Sequence, residues 1–169
     1  MRRRLINRLV LGSILFILIL FFIARMANPS EIDDIHPAIY CEDEYVALSD
    51  VLWVIPFYDN YSIADAVSWC AQMKKLNKTL GLHGVYHTYQ EFLIDRDAAY
   101  IEHGIWAFER CFGARPTLFK PPQLKISTHN SELLRSLGLE VFTTSHQLTR
   151  KVYHCSDTGS YPNLLVRFV

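Results

Sequence analysis

The sequence lacks an excess of charge of either sign: its 169 residues carry 17 basic and 17 acidic side chains. It therefore lacks the basic surplus typical of nucleic-acid-binding domains, and we expect no nucleic-acid partner. Internal repeats and low-complexity stretches are also missing. Half of the residues are apolar and 13% are aromatic, which excludes a disordered or fibrous protein. A chain of this length has room for one small domain.

The charges are unevenly distributed along the chain. Five arginines lie within the first 25 residues, which leaves 12 basic against 17 acidic residues in the remainder. Residues 9–24 contain no charge and would cover roughly 24 Å as a helix, against about 30 Å of bilayer hydrocarbon. The pattern predicts a basic segment and signal anchor over residues 1–27. A cleaved signal peptide and a buried core helix are the alternatives.

Four arginines precede the apolar run and one follows it, which predicts a cytoplasmic N-terminus and a single-pass membrane protein. After a linker at residues 28–32, the domain at residues 33–169 would face a lumen, the periplasm or the exterior. The four cysteines form no Cys-x-x-Cys pair, which argues against a cysteine zinc site. An oxidising compartment would permit one or two disulfides, and buried unpaired cysteines are the alternative.

Strand and helix patterns alternate after the linker. A continuous apolar run at residues 51–55 predicts a strand buried on both faces. Helices are predicted at 62–75, 97–112 and 130–137, and further strands at 79–82, 115–119 and 139–142. This alternation predicts an α/β fold with parallel strands, in which chemistry lies where strands end.

Three polar clusters fall at predicted strand ends: Asp33-Asp34, His83 to His87, and Lys120-Pro121-Pro122. His83 and His87 are four residues apart, a spacing that suits two nitrogen ligands of one ion. Asp33 and Asp34 add two adjacent carboxylates. One carboxylate with two histidines is a recurring ligand set for a catalytic ion, and a second carboxylate can serve as a base. His36 is a further candidate ligand or a residue that orients one.

Three motifs together carry a resemblance to a known family. The chain is similar, over residues 31–145, to the polysaccharide-deacetylase (NodB-homology) superfamily. The resemblance rests on Asp33-Asp34-Ile35-His36-Pro37, then His83-Gly84-Val85-Tyr86-His87 with Glu91-Phe92, then Phe119-Lys120-Pro121-Pro122 with Ser127.

The resemblance implies a distorted, abbreviated (β/α) barrel, preceded here by the transmembrane helix, with a divalent metal, usually zinc, at the strands' C-terminal ends. It implies hydrolysis of an N-acetyl or related acyl group on a carbohydrate, in which a metal-bound water attacks the amide carbonyl. Carried over to this sequence, Asp34, His83 and His87 are the metal ligands and Asp33 is the general base.

The substrate-binding and acid positions follow the family less closely. The third motif places Lys120 where the family has arginine, and lysine is a point charge without a bidentate fork. Lys120, Pro122 and Tyr86 are the predicted substrate-binding residues. His154 is the candidate general acid, with His146 as its rival. The short domain and these departures leave an alternative: an inactive, membrane-anchored carbohydrate-binding or interaction protein on the same scaffold.

Overall fold

The computed structural model describes residues 2–168, with side chains from residue 6 onward. Arg2, Arg3 and Arg4, on which the predicted orientation of the anchor depends, have side chains outside the described part. The first helix, α1, spans Arg2–Ala27, and Ile6–Ala27 within it is long and apolar enough to cross a membrane. Its apolar side chains project outward without a core to cover them.

The domain is built on one parallel sheet. Its strands are β1 (Glu31–Ile35), β2 (Val51–Val54), β5 (Thr79–His83), β6 (Leu118–Lys120), β7 (Glu140–Val141) and β8 (Val152–His154), and a separate hairpin is formed by β3 (Phe57–Tyr58) and β4 (Tyr61–Ser62). The order across the sheet is β7-β6-β5-β2-β1-β8, with every neighbouring pair parallel. β1 and β2 are buried along their whole length, as expected of inner strands.

Helices connect the strands. They are α2 (Asp43–Leu48), α3 (Val67–Lys75), α4 (Ala98–Phe112), α5 (Thr128–Ser136), α6 (Thr144–Leu148) and α7 (Asn163–Phe168). Local signals fix some of their ends. Asp97 caps α4 by accepting a hydrogen bond from the Tyr100 amide at 2.8 Å, and Gly113 ends the same helix with a left-handed φ of 78°.

The predicted α/β fold with parallel strands is confirmed. Closure of the barrel is not observed among residues 2–168, because β7 and β8 stand at opposite edges of an open sheet. β1 begins at Glu31, so the sheet includes the last two residues of the predicted linker. The helix expected from residue 62 starts later, since Ser62 caps a 3-10 turn at Ile63–Asp65 before α3 begins.

All four cysteines are paired. Cys41 is bonded to Cys155, which ties the loop after β1 to the turn after β8. Cys70 is bonded to Cys111, which joins α3 to α4. Of the two alternatives for the cysteines, the structure therefore has disulfides, and such bonds persist in oxidising compartments.

Candidate metal centre

The sheet brings the polar clusters to one edge. Asp33 and Asp34 lie at the end of β1, His83 is the last residue of β5, and Lys120 and His154 end β6 and β8. Register places Asp33 beside His154 and His83 beside Lys120. Since all six strands run parallel, their C-terminal ends meet at the same edge, where α/β folds place their chemistry.

Asp34, His83 and His87 converge on one another. The distances are 3.4 Å from Asp34 Oδ1 to His83 Nε2, 3.0 Å from Asp34 Oδ1 to His87 Nε2, and 3.2 Å between the two Nε2 atoms. In a tetrahedral zinc site with bonds near 2.1 Å, ligand atoms are about 3.4 Å apart. The three atoms therefore have the spacing of one face of such a tetrahedron, and the set can hold a metal ion.

A backbone hydrogen bond orients His83. Its Nδ1 lies 2.9 Å from the carbonyl oxygen of Lys120, which can only accept. Nδ1 must therefore carry the proton, and in the neutral ring Nε2 presents a lone pair to Asp34 and His87. This tautomer is the one that a metal ligand requires.

Charge and burial act against each other at the cluster. Burial works to raise the pKa of the Asp34 carboxyl. Protonated His83 and His87 rings can donate to this carboxylate, and that attraction outweighs burial and holds the pKa of Asp34 well below its usual range. Burial works to lower the pKa of His83, and the neighbouring Asp34 and Asp33 carboxylates outweigh it, so the pKa of His83 is raised. Asp34 also accepts a hydrogen bond from Thr158 Oγ1 at 3.1 Å.

Glu91 holds the turn that carries His87. This buried carboxylate accepts hydrogen bonds from the amides of Val85, Tyr86 and His87 at 2.9–3.0 Å, and from the Tyr100 hydroxyl at 2.7 Å. The turn is strained at His87, a non-glycine residue with a φ of 55°, whereas Gly84 adopts its φ of 67° without cost. Left-handed backbone at a non-glycine residue persists only where surroundings enforce it, and Glu91 supplies that enforcement.

Asp33, the predicted base, lies next to the candidate ligand cluster, between an ammonium group and an imidazole ring. Its Oδ1 accepts a hydrogen bond from Lys120 Nζ at 2.7 Å, and its Oδ2 lies 3.5 Å from His154 Nε2. Asp33 and Lys120 are both buried. The structure thus brings the predicted base, the predicted acid and the three predicted ligands together.

The cluster opens into a cleft of about 400 Å³. Its walls come from strand ends and from the loops after β6 and β8, and the lining residues are Asp33, Asp34, His83, His87, Lys120, Pro121, Gln123, Leu124, Gln147, His154, Thr158, Gly159 and Ser160. The mixture of charged and neutral polar groups suits a hydroxyl-rich ligand.

Three predicted residues lie elsewhere. Pro122 is buried beneath Gly84, and Tyr86 packs on Phe57 and donates to or accepts from His103 at 3.1 Å. Neither lines the cleft, so their substrate-binding roles stay predictions. His36 is buried beside Tyr58, and its Nδ1 accepts a hydrogen bond from the Ala38 amide, so it does not join the ligand triangle.

Two functional candidates were missed by sequence reasoning. Glu91 stands out in the sequence only as part of a motif. The apolar and polar pattern around it does not indicate that its carboxylate accepts hydrogen bonds from three backbone amides. Glu31 was placed in the linker, whereas it is a buried strand residue that accepts a hydrogen bond from Lys120. The continuous run Glu31-Ile32 before the acidic pair is a weak signal of a strand.

Comparison with known proteins identifies the architecture. No protein-family model and no curated protein matches the sequence. The polysaccharide deacetylase Bc1974 from Bacillus cereus superposes with a TM-score of 0.51 at 13% identity, over 68% of this chain and 58% of that one. The chain has the polysaccharide-deacetylase fold.

Two further solved structures are similar to this chain. A mutant of peptidoglycan deacetylase PdaC from Bacillus subtilis gives a TM-score of 0.48 at 18% identity, over 69% of this chain and 58% of that one. BA3943, a CE4 family pseudoenzyme from Bacillus anthracis, gives 0.44 at 8% identity, over 55% and 32%. The chain thus spans 58%, 58% and 32% of the lengths of these three solved structures.

Proposed function

We propose that this protein is a metal-dependent hydrolase that removes an N-acetyl or related acyl group from a carbohydrate. The single observation that carries the proposal is the triangle of Asp34 Oδ1, His83 Nε2 and His87 Nε2, with edges of 3.0–3.4 Å, next to the second carboxylate of Asp33. Two histidines and one carboxylate are a ligand set for zinc that leaves a position open.

A divalent ion held by these ligands would polarise an acyl carbonyl and acidify a water molecule. The chain's own groups supply the proton transfers. Asp33 takes the proton of the attacking water as general base, and the ammonium of Lys120 at 2.7 Å fixes the orientation of that carboxylate. Lys120 therefore acts on the base, and the cleft residues Gln123, Gln147 and Ser160 are the proposed contacts for sugar hydroxyls.

His154 is the proposed general acid. Its Nε2 faces Asp33 from the neighbouring strand, and the side chain lines the same cleft. From this position it can give a proton to the leaving amine nitrogen, while Asp33 takes one from water. Amide hydrolysis requires one group that takes a proton from water and one that gives a proton to the leaving amine, and both proposed groups line this cleft.

Zinc titration of the purified chain tests the metal site. We expect wild type to bind one zinc ion, and the His83→Ala, His87→Ala double variant to lose that binding. His129→Ala removes an exposed histidine outside the cleft and is the matched control, with wild-type affinity expected. Equal zinc binding by the double variant would overturn the proposed site.

Acetate release from chitin oligomers or acetylated peptidoglycan fragments tests the reaction. We expect release by wild type and its loss in Asp33→Asn, which keeps the side-chain size and removes the base. Loss of activity with retained zinc binding in Asp33→Asn would show that Asp33 acts in proton transfer and is not a metal ligand. No release by zinc-loaded wild type from any of these substrates would reject the enzyme proposal.

One observation favours the alternative, an inactive carbohydrate-binding protein on this scaffold. Within residues 2–168, His154 Nδ1 is buried and has no hydrogen-bond partner, so no carboxylate or carbonyl fixes the tautomer of the proposed acid. Binding of glycan fragments without acetate release, unchanged in Asp33→Asn, is the result that this alternative predicts.

We also propose that α1 anchors the domain as a single-pass helix with a cytoplasmic N-terminus. Support comes from the 22-residue apolar segment Ile6–Ala27, which exceeds the roughly 20 residues a span needs, and from two disulfides in the domain. Carbonate extraction and protease protection of sealed membranes test this proposal. Release of the intact chain by carbonate would contradict it.

A further inference from the structure

A buried carboxylate that the proposed chemistry does not use lies two residues before the base. Glu31 is the first residue of β1 and is 1% exposed. Residues i and i+2 of a strand face the same side of a sheet, so Glu31 and Asp33 project toward the same interior. An acidic side chain is almost never this deeply buried unless it is paired.

Glu31 is fully paired. Its Oε2 accepts hydrogen bonds from Trp53 Nε1 at 2.8 Å and from Lys120 Nζ at 3.2 Å, and its Oε1 accepts one from Arg150 Nη1 at 2.9 Å. These donors come from β2, β6 and the segment before β8. The carboxylate therefore links three separate parts of the sheet at one point.

Lys120 stands between two carboxylates. It is 2% exposed, and its ammonium donates to Glu31 Oε2 and to Asp33 Oδ1. The charges alternate in sign from Arg150 through Glu31 and Lys120 to Asp33, so every buried charge has an opposite neighbour. Such an arrangement is what permits ionised groups to remain inside a protein.

A lysine needs this second partner more than an arginine would. A guanidinium is planar and binds a carboxylate through two parallel hydrogen bonds, which fixes both groups. An ammonium is a point charge on a flexible stem, and one carboxylate alone leaves its direction undetermined. Glu31 gives Lys120 a second fixed contact, at 3.2 Å.

We propose that Glu31 is a positioning residue, which holds the Lys120 ammonium against Asp33 and so fixes the orientation of the base. The inference rests on the proposed function, in which Asp33 accepts a proton. It also assigns a reason for lysine at position 120: the pair Glu31 and Lys120 together replace the fork of a single arginine.

The Glu31→Gln variant tests this role. Glutamine keeps the size and an acceptor for Trp53, but removes the charge that attracts Lys120. We expect kcat for acetate release to fall about tenfold or more, with KM and zinc affinity unchanged, because misplacement of a catalytic group affects the chemical step. Glu31→Asp, which keeps the charge, should recover part of the rate.

Two controls separate positioning from a general loss of structure. Glu102→Gln makes the same change in an exposed ion pair with Arg115 on α4, and should leave kcat unchanged. In a Lys120→Met background, Glu31→Gln should cause no further loss of kcat, since it acts through Lys120. An equal loss in both backgrounds would overturn the proposal.

A crystal structure of Glu31→Gln gives a readout that does not depend on activity. We expect the distance from Lys120 Nζ to Asp33 Oδ1, 2.7 Å in wild type, to exceed hydrogen-bonding range. An unchanged contact would refute the positioning role, even if wild type proves inactive. Absence of acetate release by wild type would refute the proposed function alone. If Glu31→Gln does not fold, the same crystal structure and kcat measurements on Glu31→Asp test the proposal. An unshifted Lys120 ammonium together with a wild-type kcat in that variant would refute it.

Discussion

Glu91 is the side chain on which the geometry of the turn that carries His87 depends. Glu91→Gln is the sharpest perturbation, because it preserves shape and exchanges one oxygen for an NH2 group. With its remaining oxygen at the Oε1 position, glutamine still accepts from Val85, Tyr86 and Tyr100. Its NH2 then faces the His87 amide, which donated to Oε2 at 3.0 Å, and two donors oppose each other.

The magnitude follows from these four contacts. Hydrogen bonds to a charged group contribute about 1.5–3 kcal/mol and neutral ones about 1 kcal/mol, and an unpaired buried N–H costs about 1–3 kcal/mol. The low ends of these ranges already add up to about 4 kcal/mol, so we expect Glu91→Gln to lower the free energy of unfolding by at least about 4 kcal/mol. Because His87 is no longer held, zinc affinity should fall by roughly 10- to 100-fold, as for other residues that orient metal ligands.

Urea unfolding of the full chain in detergent micelles, followed by near-ultraviolet circular dichroism, measures the first quantity. Competition with a chromogenic zinc chelator measures the second. Glu109→Gln is the matched control, since Glu109 forms an exposed ion pair with Arg115, and it should change unfolding by less than about 0.5 kcal/mol. Wild-type stability and zinc affinity in Glu91→Gln would refute this account of the turn.

Three further predictions follow from the site and its surroundings. Burial lowers the pKa of His36 to about 4, so the unfolded chain takes up a proton before the folded chain as pH falls below about 6.5. The free energy of unfolding should therefore drop by roughly 2 kcal/mol between pH 6.5 and 4. His36→Asn should remove that drop in urea titrations. A side chain at Gly159 would clash with His154 Nδ1, so Gly159→Ala should lower kcat about 100-fold with zinc affinity intact, and an unchanged kcat would argue against His154 as acid. Because the pKa of His83 is raised, protons compete with zinc as pH falls, and affinity measured by calorimetry should decrease about tenfold per pH unit below that pKa; a pH-independent affinity would exclude His83 as a ligand.

The local elements of the fold could be predicted from the sequence. Helix α4 was expected at residues 97–112 and spans Ala98–Phe112, because its cap, its apolar stripe and its terminal glycine all lie within the segment itself. The metal triangle was also predicted. Histidines four residues apart on one turn are bound to be neighbours, and a parallel fold brings the acidic pair to the same edge.

Contacts between distant segments could not be predicted. Lys120 and Glu31 are 89 residues apart in the chain, and Glu31 was placed in the linker because no periodicity marks a strand of five buried residues with three acids. The pairing of the cysteines, and the absence of hydrogen bonds between the edge strands β7 and β8, also depend on contacts between distant segments. Each depends on how the strands are ordered, which a local pattern does not encode.

The sequence by itself determined which residues are candidates for the proposed chemistry: an acidic pair, two histidines four residues apart and a lysine before two prolines. Only the tertiary structure decided how those charges neutralise one another. A buried carboxylate is stable only beside a cation or hydrogen-bond donor, and the arrangement of the strands determines which one lies beside it. Hydrogen bonds within a turn are set by neighbours in the chain. The partner of a buried charge is set by strand order, and for Asp33 that partner is Lys120, which also donates a hydrogen bond to Glu31.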